Sequence, residues 1–175
     1  MGTGGMLAAL IILLGVTIQE TESCFPEPGG KNLARKGSTS QSSRHAGYLW
    51  ATASRAIDGE IDGDFHKSSC SHTQLQMSPW WMVDLKQSRR IGSIIVYGRK
   101  DCCQTRLIGA EVRVGNTLGH HNPVCGTFSK SSVYHAVEFC CNGKVGRYIS
   151  VIIPERKESL SLCEVEVYGL KRERH

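Results

Sequence analysis

The chain has 175 residues, 40% of them hydrophobic, with a formal net charge of +5, enough length for one domain with a real core. Its basic residues are scattered apart from Lys171, Arg172 and Arg174, and no RNA- or DNA-binding signature accompanies them, so nucleic acid is not expected as a partner. Eight cysteines read as a disulfide framework and not a metal cluster, since there is no C-x-x-C pair and no histidine at finger spacing.

In chain order, Met6 to Ile18 is an apolar run too short to span a bilayer and placed where a secretory signal sits, although no Lys or Arg precedes it. Thr21 and Ser23 place cleavage before Cys24; loss of Glu20 and Glu22 then takes the formal charge from +5 to +7. The expected organisation is a signal over 1–23, a breaker-rich lead-in over 24–31, one domain over 32–169 and a basic tail over 170–175. No later segment is apolar enough for membrane insertion, so the mature chain is expected to be secreted and extracellular.

From Asn32 to about Ser54 the chain is polar, reading as a short strand and a loop, and Asp58 to Ser69 is an acidic, Gly-containing loop. Strand patterns follow. Trp80 to Leu85 puts Trp81, Val83 and Leu85 on one face, and Ile91 to Tyr97 is apolar on both, as in a central strand. Glu111 to Val114 and Val133 to Phe139 alternate, Tyr148 to Ile153 stops at Pro154, and Cys163 to Tyr168 alternates up to Gly169. No stretch after the signal shows helical periodicity. Short strands with Gly-, Pro- and Asn-containing turns argue for an all-β sandwich.

Two stretches carry chemistry. In Asp58-Gly-Glu60-Ile-Asp62-Gly63-Asp64 the alternating acids resemble an EF-hand loop, but position twelve is Ser69 and no helices flank it. A hard cation is still served by one or two carboxylates together with loop carbonyls. Acids crowded in one loop suit a cation better than the spaced carboxyl pair of a glycosidase, no G-x-S-x-G frame or nucleotide loop is present, and thiol nucleophiles do not fit an oxidising compartment. No enzyme is expected. The second stretch, Arg99-Lys-Asp-Cys102-Cys103-Gln-Thr-Arg106, brackets adjacent cysteines with two guanidinium forks. A disulfide between neighbours strains the backbone, and strain between binding-type side chains marks a candidate site.

These motifs, with Ala56-Ile57-Asp58-Gly59, Ser69-Cys70-Ser71-His72-Thr73, Pro79-Trp80-Trp81-Met82-Val83-Asp84-Leu85, Gly146-Arg147-Tyr148 and Leu162-Cys163-Glu164-Val165-Glu166-Val167, resemble the F-type lectins, most closely the eel fucolectins, from Asn32 to Tyr168. The resemblance implies a β-sandwich jelly roll, discoidin-like and disulfide-bonded, holding terminal L-fucose at loops on one end. His72, Arg99 and Arg106 would grip its hydroxyls, and Cys102–Cys103 would pack on its apolar edge. Phe65 and His66 are candidates for a wall near the methyl group, with a core role the alternative for Phe65.

A structural Ca²⁺ would take side-chain oxygens of Asp58, Ser69 and Glu164 and carbonyls of Arg55, Glu60 and Cys163. Implied disulfides are Cys70–Cys163, Cys102–Cys103 and Cys125 to Cys140 or Cys141, with Cys141 favoured. Cys24 and Cys140 would then pair with each other or between subunits. The loop from Arg44 to Thr52 is shorter than in the eel relatives. The resemblance further implies fucosylated glycans as partners, a homo-oligomer such as a trimer, and agglutination in innate defence. The alternative is a discoidin-like adhesion module that docks on lipid or matrix protein.

Overall fold

The computed structural model describes Cys24, residues 30–132 and residues 135–170. The expected signal, most of the lead-in and the basic tail lie outside the described residues. The described residues form eight strands and five 3₁₀ turns, with no α-helix among them.

The architecture hangs on one long hairpin-like pair, β3 (Trp80–Tyr97) and β6 (Ala136–Ile152). The sequence pattern separates Trp80–Leu85 from Ile91–Tyr97, yet the structure runs them as one strand. Between them Lys86 to Arg90 is exposed throughout, Lys86 takes a left-handed φ of 68°, and the register with β6 shifts at Asp84/Arg89 and again at Ile91/Ser93. Such irregularities bend a strand without ending it. β6 answers with Asn142 and Gly143, both at positive φ, so it likewise joins two stretches that read as separate strands.

Each half of the pair recruits its own neighbours. The first half of β3 pairs with β1 (Ser38–Gln41). The matching half of β6 pairs with β4 (Glu111–Gly115), which carries β5 (Val124–Thr127) at the edge. The second half of β3 lies between β6 and β8 (Glu164–Gly169), a central position that explains why Ile91 to Tyr97 is apolar on both faces. β2 (Gln76–Met77) and β7 (Lys157–Glu158) form a small separate pair.

Buried side chains from both halves meet in one cluster that includes Trp81, Ile94, Val112, Ile149, Val151 and Val167. The result is an all-β, disulfide-bonded sandwich. Trp81 is 1% exposed and donates from Nε1 to the Ala53 carbonyl at 2.9 Å, satisfying the one polar atom buried with its ring. Asp84 accepts the Arg147 fork at 2.7 and 2.8 Å, linking the W-x-V-D-L and G-R-Y stretches across β3 and β6.

All eight cysteines pair: Cys24–Cys140, Cys70–Cys163, Cys102–Cys103 and Cys125–Cys141. Within the chain, then, Cys24 and Cys140 pair with each other. A smaller cluster of Ala51, Phe65, Cys70 and Cys163, with Trp50 and Tyr97 against it, lies under the loops at one end.

Candidate functional site

Where β3 ends at Tyr97 the chain turns out through Gly98 and enters the Arg99–Arg106 stretch. The Arg99 guanidinium sits 4.3 Å from the Phe65 ring centroid. Its Nε donates to Asp101 Oδ1 at 2.9 Å and its Nη2 to Asp101 Oδ2. Arg99 beside it holds the Asp101 carboxyl down at about 2. Nη1 has no partner among the described residues, so the fork is oriented with one edge to spare.

The Cys102–Cys103 bond follows, and Cys103 adopts a φ of 70°, a left-handed conformation uncommon for a residue with a Cβ. That turn starts a 3₁₀ segment, Gln104–Leu107, which brings Arg106 back towards Arg99. The Arg106 Nε lies 3.5 Å from Glu158 Oε1. Between the two arginines is a shallow, open hollow lined by Arg99, Cys103, Gln104, Arg106, Ser159 and Ser161, among others.

His72 does not line this hollow; it meets the ring of Phe65, on which Arg99 rests, edge-on at 5.2 Å. The imidazole is 5% exposed. Its Nδ1–H donates to the Thr73 carbonyl at 2.6 Å, leaving the Nε2 lone pair as an acceptor. Burial pushes the His72 pKa down, the Thr73 carbonyl opposes this, and the charges of His45, Arg99 and Arg106 add to the lowering. The site thus combines two donor forks with one acceptor.

Phe65 is 2% exposed. It supports Arg99 and His72 from beneath, with Trp50 at 4.7 Å and Tyr48 at 4.9 Å around it. His66 stands at the surface, its Nε2 3.9 Å from Asp101 Oδ2. Sequence reasoning missed His45, Tyr48, Trp50, Glu158, Ser159 and Ser161. The available signals were the aromatic run Tyr48-Leu49-Trp50 in a polar stretch, and the alternation of Ser159 and Ser161 with buried Leu160 and Leu162.

The acidic loop is stitched to the same stretch. Lys100 donates its backbone N–H to the Gly63 carbonyl at 2.9 Å, and Asp62 pairs with Lys100 at 2.6 Å and Lys67 at 2.7 Å. Those two ammonium groups hold the Asp62 carboxyl well below its usual range. The His135 ring bridges the Gly98 and Ile61 carbonyls, each at 2.9 Å. Gly63 packs so close that a Cβ there would meet His135 Cε1 at 2.6 Å.

Behind this loop Glu164 is fully buried at the start of β8. Its only donor among the described residues is the Gly59 N–H, 3.2 Å from each oxygen. Gly59 takes a φ of 86° to present that N–H. Burial, reinforced by the nearby Asp58 charge, pushes the Glu164 carboxyl up to about 8. A buried carboxylate this poorly satisfied is costly unless a cation joins it. Ser69 donates its hydroxyl hydrogen to the Asp64 carbonyl at 2.9 Å, which leaves its oxygen free to accept. Asp58, Ser69 and Glu164 therefore fit a hard cation, even though no three His, Cys, Asp or Glu side chains converge among the described residues; the remaining oxygens in the implied set are backbone carbonyls.

Comparison with known proteins places this geometry. A family profile described as a NedA-like, galactose-binding domain matches residues 55–151. Fucolectin-6 of Anguilla japonica is 36% identical over 170 residues, covering 94% of this chain and 91% of the relative. The pentraxin fusion protein of Xenopus laevis is 39% identical over 144 residues, covering 81% of this chain and 34% of its own length. The crystal structure of a fucolectin from the serum of striped bass (Morone saxatilis) superposes with a TM-score of 0.75 at 44% identity, over 81% of this chain and 48% of that one. The chain thus spans about a third of the pentraxin fusion protein and about half of the bass chain.

Proposed function

This chain belongs to the F-type lectin family, and from that premise we propose that it is a calcium-stabilised lectin for terminal L-fucose, without catalytic activity. The observation that carries the reading is the hollow between Arg99 and Arg106 with the Cys102–Cys103 bond at its rim. A deoxyhexose presents neighbouring hydroxyl oxygens and a ring oxygen, which suit guanidinium donors. One hydroxyl hydrogen finds the His72 Nε2 lone pair. The sulfur–sulfur ledge meets the apolar edge of the ring, where a methyl replaces the hydroxymethyl of other hexoses.

Calcium belongs at the Asp58–Ser69–Glu164 corner, joined by the carbonyls of Arg55, Glu60 and Cys163. There it neutralises carboxylates that the fold buries, and with Cys70–Cys163 it clamps the acidic loop to β8. Its role is structural: the clamp holds Phe65 and His72 against the arginines. The protein acts outside the cell, and because one shallow polar site binds weakly, several copies in a homo-oligomer such as a trimer give useful avidity. Agglutination of fucosylated cells or microbes, as in innate defence, follows from such multivalency.

Displacement from a fucosylated surface tests the reading. Free L-fucose should release the protein and galactose should not. Arg106→Ala should weaken binding by about 10- to 150-fold, the loss of hydrogen bonds from a charged donor worth about 1.5–3 kcal/mol. Wild-type affinity in Arg106→Ala, or equal displacement by galactose, overturns it.

A further inference from the structure

At the opposite end of the sandwich, cations that are scattered in the sequence are gathered by strand pairing. Ile91 to Tyr97 separates this end from the sugar site by about 20 Å at the strand rise. The register sets Arg89 opposite Gly146, Arg90 opposite Val145 and Ile91 opposite Lys144. Lys86 and Arg147 join them, sharing Asp84 at 3.6 and 2.7 Å. Among the described residues, five cations here meet one carboxylate. Arg89, Arg90 and Lys144 are exposed and make no ion pair among the described residues. The Arg90 fork lies over Gly143, where a Cβ would sit 3.2 Å from its Nη2. At the sugar end the reverse holds: Arg55, Lys67, Arg99, Lys100 and Arg106 are each partnered by an acid.

We propose that this ridge of Lys86, Arg89, Arg90, Lys144 and Arg147 binds a linear sulfated polysaccharide, independently of the sugar site. Charge complementarity selects a polyanion, and guanidinium forks grip paired oxyanion oxygens. The ridge follows two neighbouring strands, so its charges are spaced for anions repeated along an extended chain. Among the large exposed apolar side chains only Val145 lies on it, which gives a bilayer nothing to receive. Its one ring, Tyr148, lies beneath the Arg147 guanidinium at 5.1 Å, which leaves no free platform for stacking bases. Because the two ends are separate, the molecule can be held on a matrix polysaccharide while its sugar site stays open.

The test is equilibrium binding to immobilised heparin over a salt series with L-fucose saturating. The expected result is salt-sensitive binding that persists with fucose and in Arg106→Ala, and that is absent with desulfated heparin. Arg89→Glu/Arg90→Glu/Lys144→Glu should lose about tenfold or more and flatten the salt dependence, as removal of charge contacts does on any polyelectrolyte. Its fucose binding should be unchanged. The Gln versions of the same three changes, which reverse no charge, should show a smaller loss in the same direction. Wild-type heparin binding in both triple variants overturns the proposal. So does loss only on truncation after Leu170, or tighter binding to phosphatidylserine vesicles or RNA than to heparin.

Discussion

Removing Asp101 isolates what the opening arginine owes to its setting. Arg99 is 11% exposed at its side chain, held by two bonds from Nε and Nη2 and resting on Phe65. In Asp101→Ala the ring contact survives and the carboxylate anchor goes. The guanidinium must then be ordered when sugar arrives, which costs about 0.5–1.5 kcal/mol for a rotamer-rich side chain. Fucose affinity should therefore fall about two- to twelvefold, with Asp101→Asn in between because one acceptor remains. Arg99→Ala should cost more, since the donors themselves are lost. Isothermal titration with L-fucose on the two single variants and the double reads the coupling directly. In the Arg99→Ala background, Asp101→Ala should cost nothing further. If it costs the same with and without Arg99, the carboxylate is not acting through the guanidinium and the reasoning fails.

Acid should act through His72 and not through Asp101, which stays ionised down to about 2. Because burial depresses the His72 pKa below its ordinary 6.5, the folded state stays neutral where the unfolded chain takes a proton. Its contribution to stability is present above 6.5 and is lost as pH falls from there through the folded value; fucose binding should decline only as pH falls through that lower folded value, where the Nε2 acceptor takes a proton, and a His72→Gln variant should flatten that limb of the binding–pH curve. Chelation should lower both the melting temperature and fucose affinity, and calcium at a hundredfold excess over its Kd should restore about 2.7 kcal/mol of folding stability. Calorimetric titration should find this calcium uptake gone in Glu164→Gln, and melts identical with and without chelator would rule the clamp out. Cys70→Ser/Cys163→Ser opens a cross-link between residues 93 apart and should cost about 2–5 kcal/mol in urea unfolding, with calcium-loaded protein losing less of its sugar affinity than chelated protein.

Much of the fold was written in short-range pattern. The two-residue alternation of Trp81, Val83 and Leu85 and the doubly apolar Ile91 to Tyr97 correctly named a half-buried and a central stretch. What periodicity cannot show is that both lie on one strand, because Lys86 to Arg90 has the composition of a turn and only pairing with β6 holds it in line. β5 was invisible for a related reason: Val124 to Thr127 is an edge with a cysteine and a glycine, too short to alternate. At the site, the side chains that would touch a ligand stand in recognisable motifs, whereas their supports come from elsewhere in the chain. Nothing local to Phe65 says that Arg99 rests on it, and nothing local to Asp62 says that it spans two lysines. Arg89, Arg90 and Lys144 look like ordinary solvated charges until strand register brings them together.

The bend in the central pair has a mechanical consequence. Since the same two strands furnish both walls of the sandwich, neither wall exists as a separable piece, and fraying at one rim is transmitted along unbroken backbone to the other. Such a molecule should melt in a single step, with heat capacity and spectroscopic transitions coinciding. A fragment ending near Arg89 would keep β1 and the first half of β3, part of one wall and none of the other.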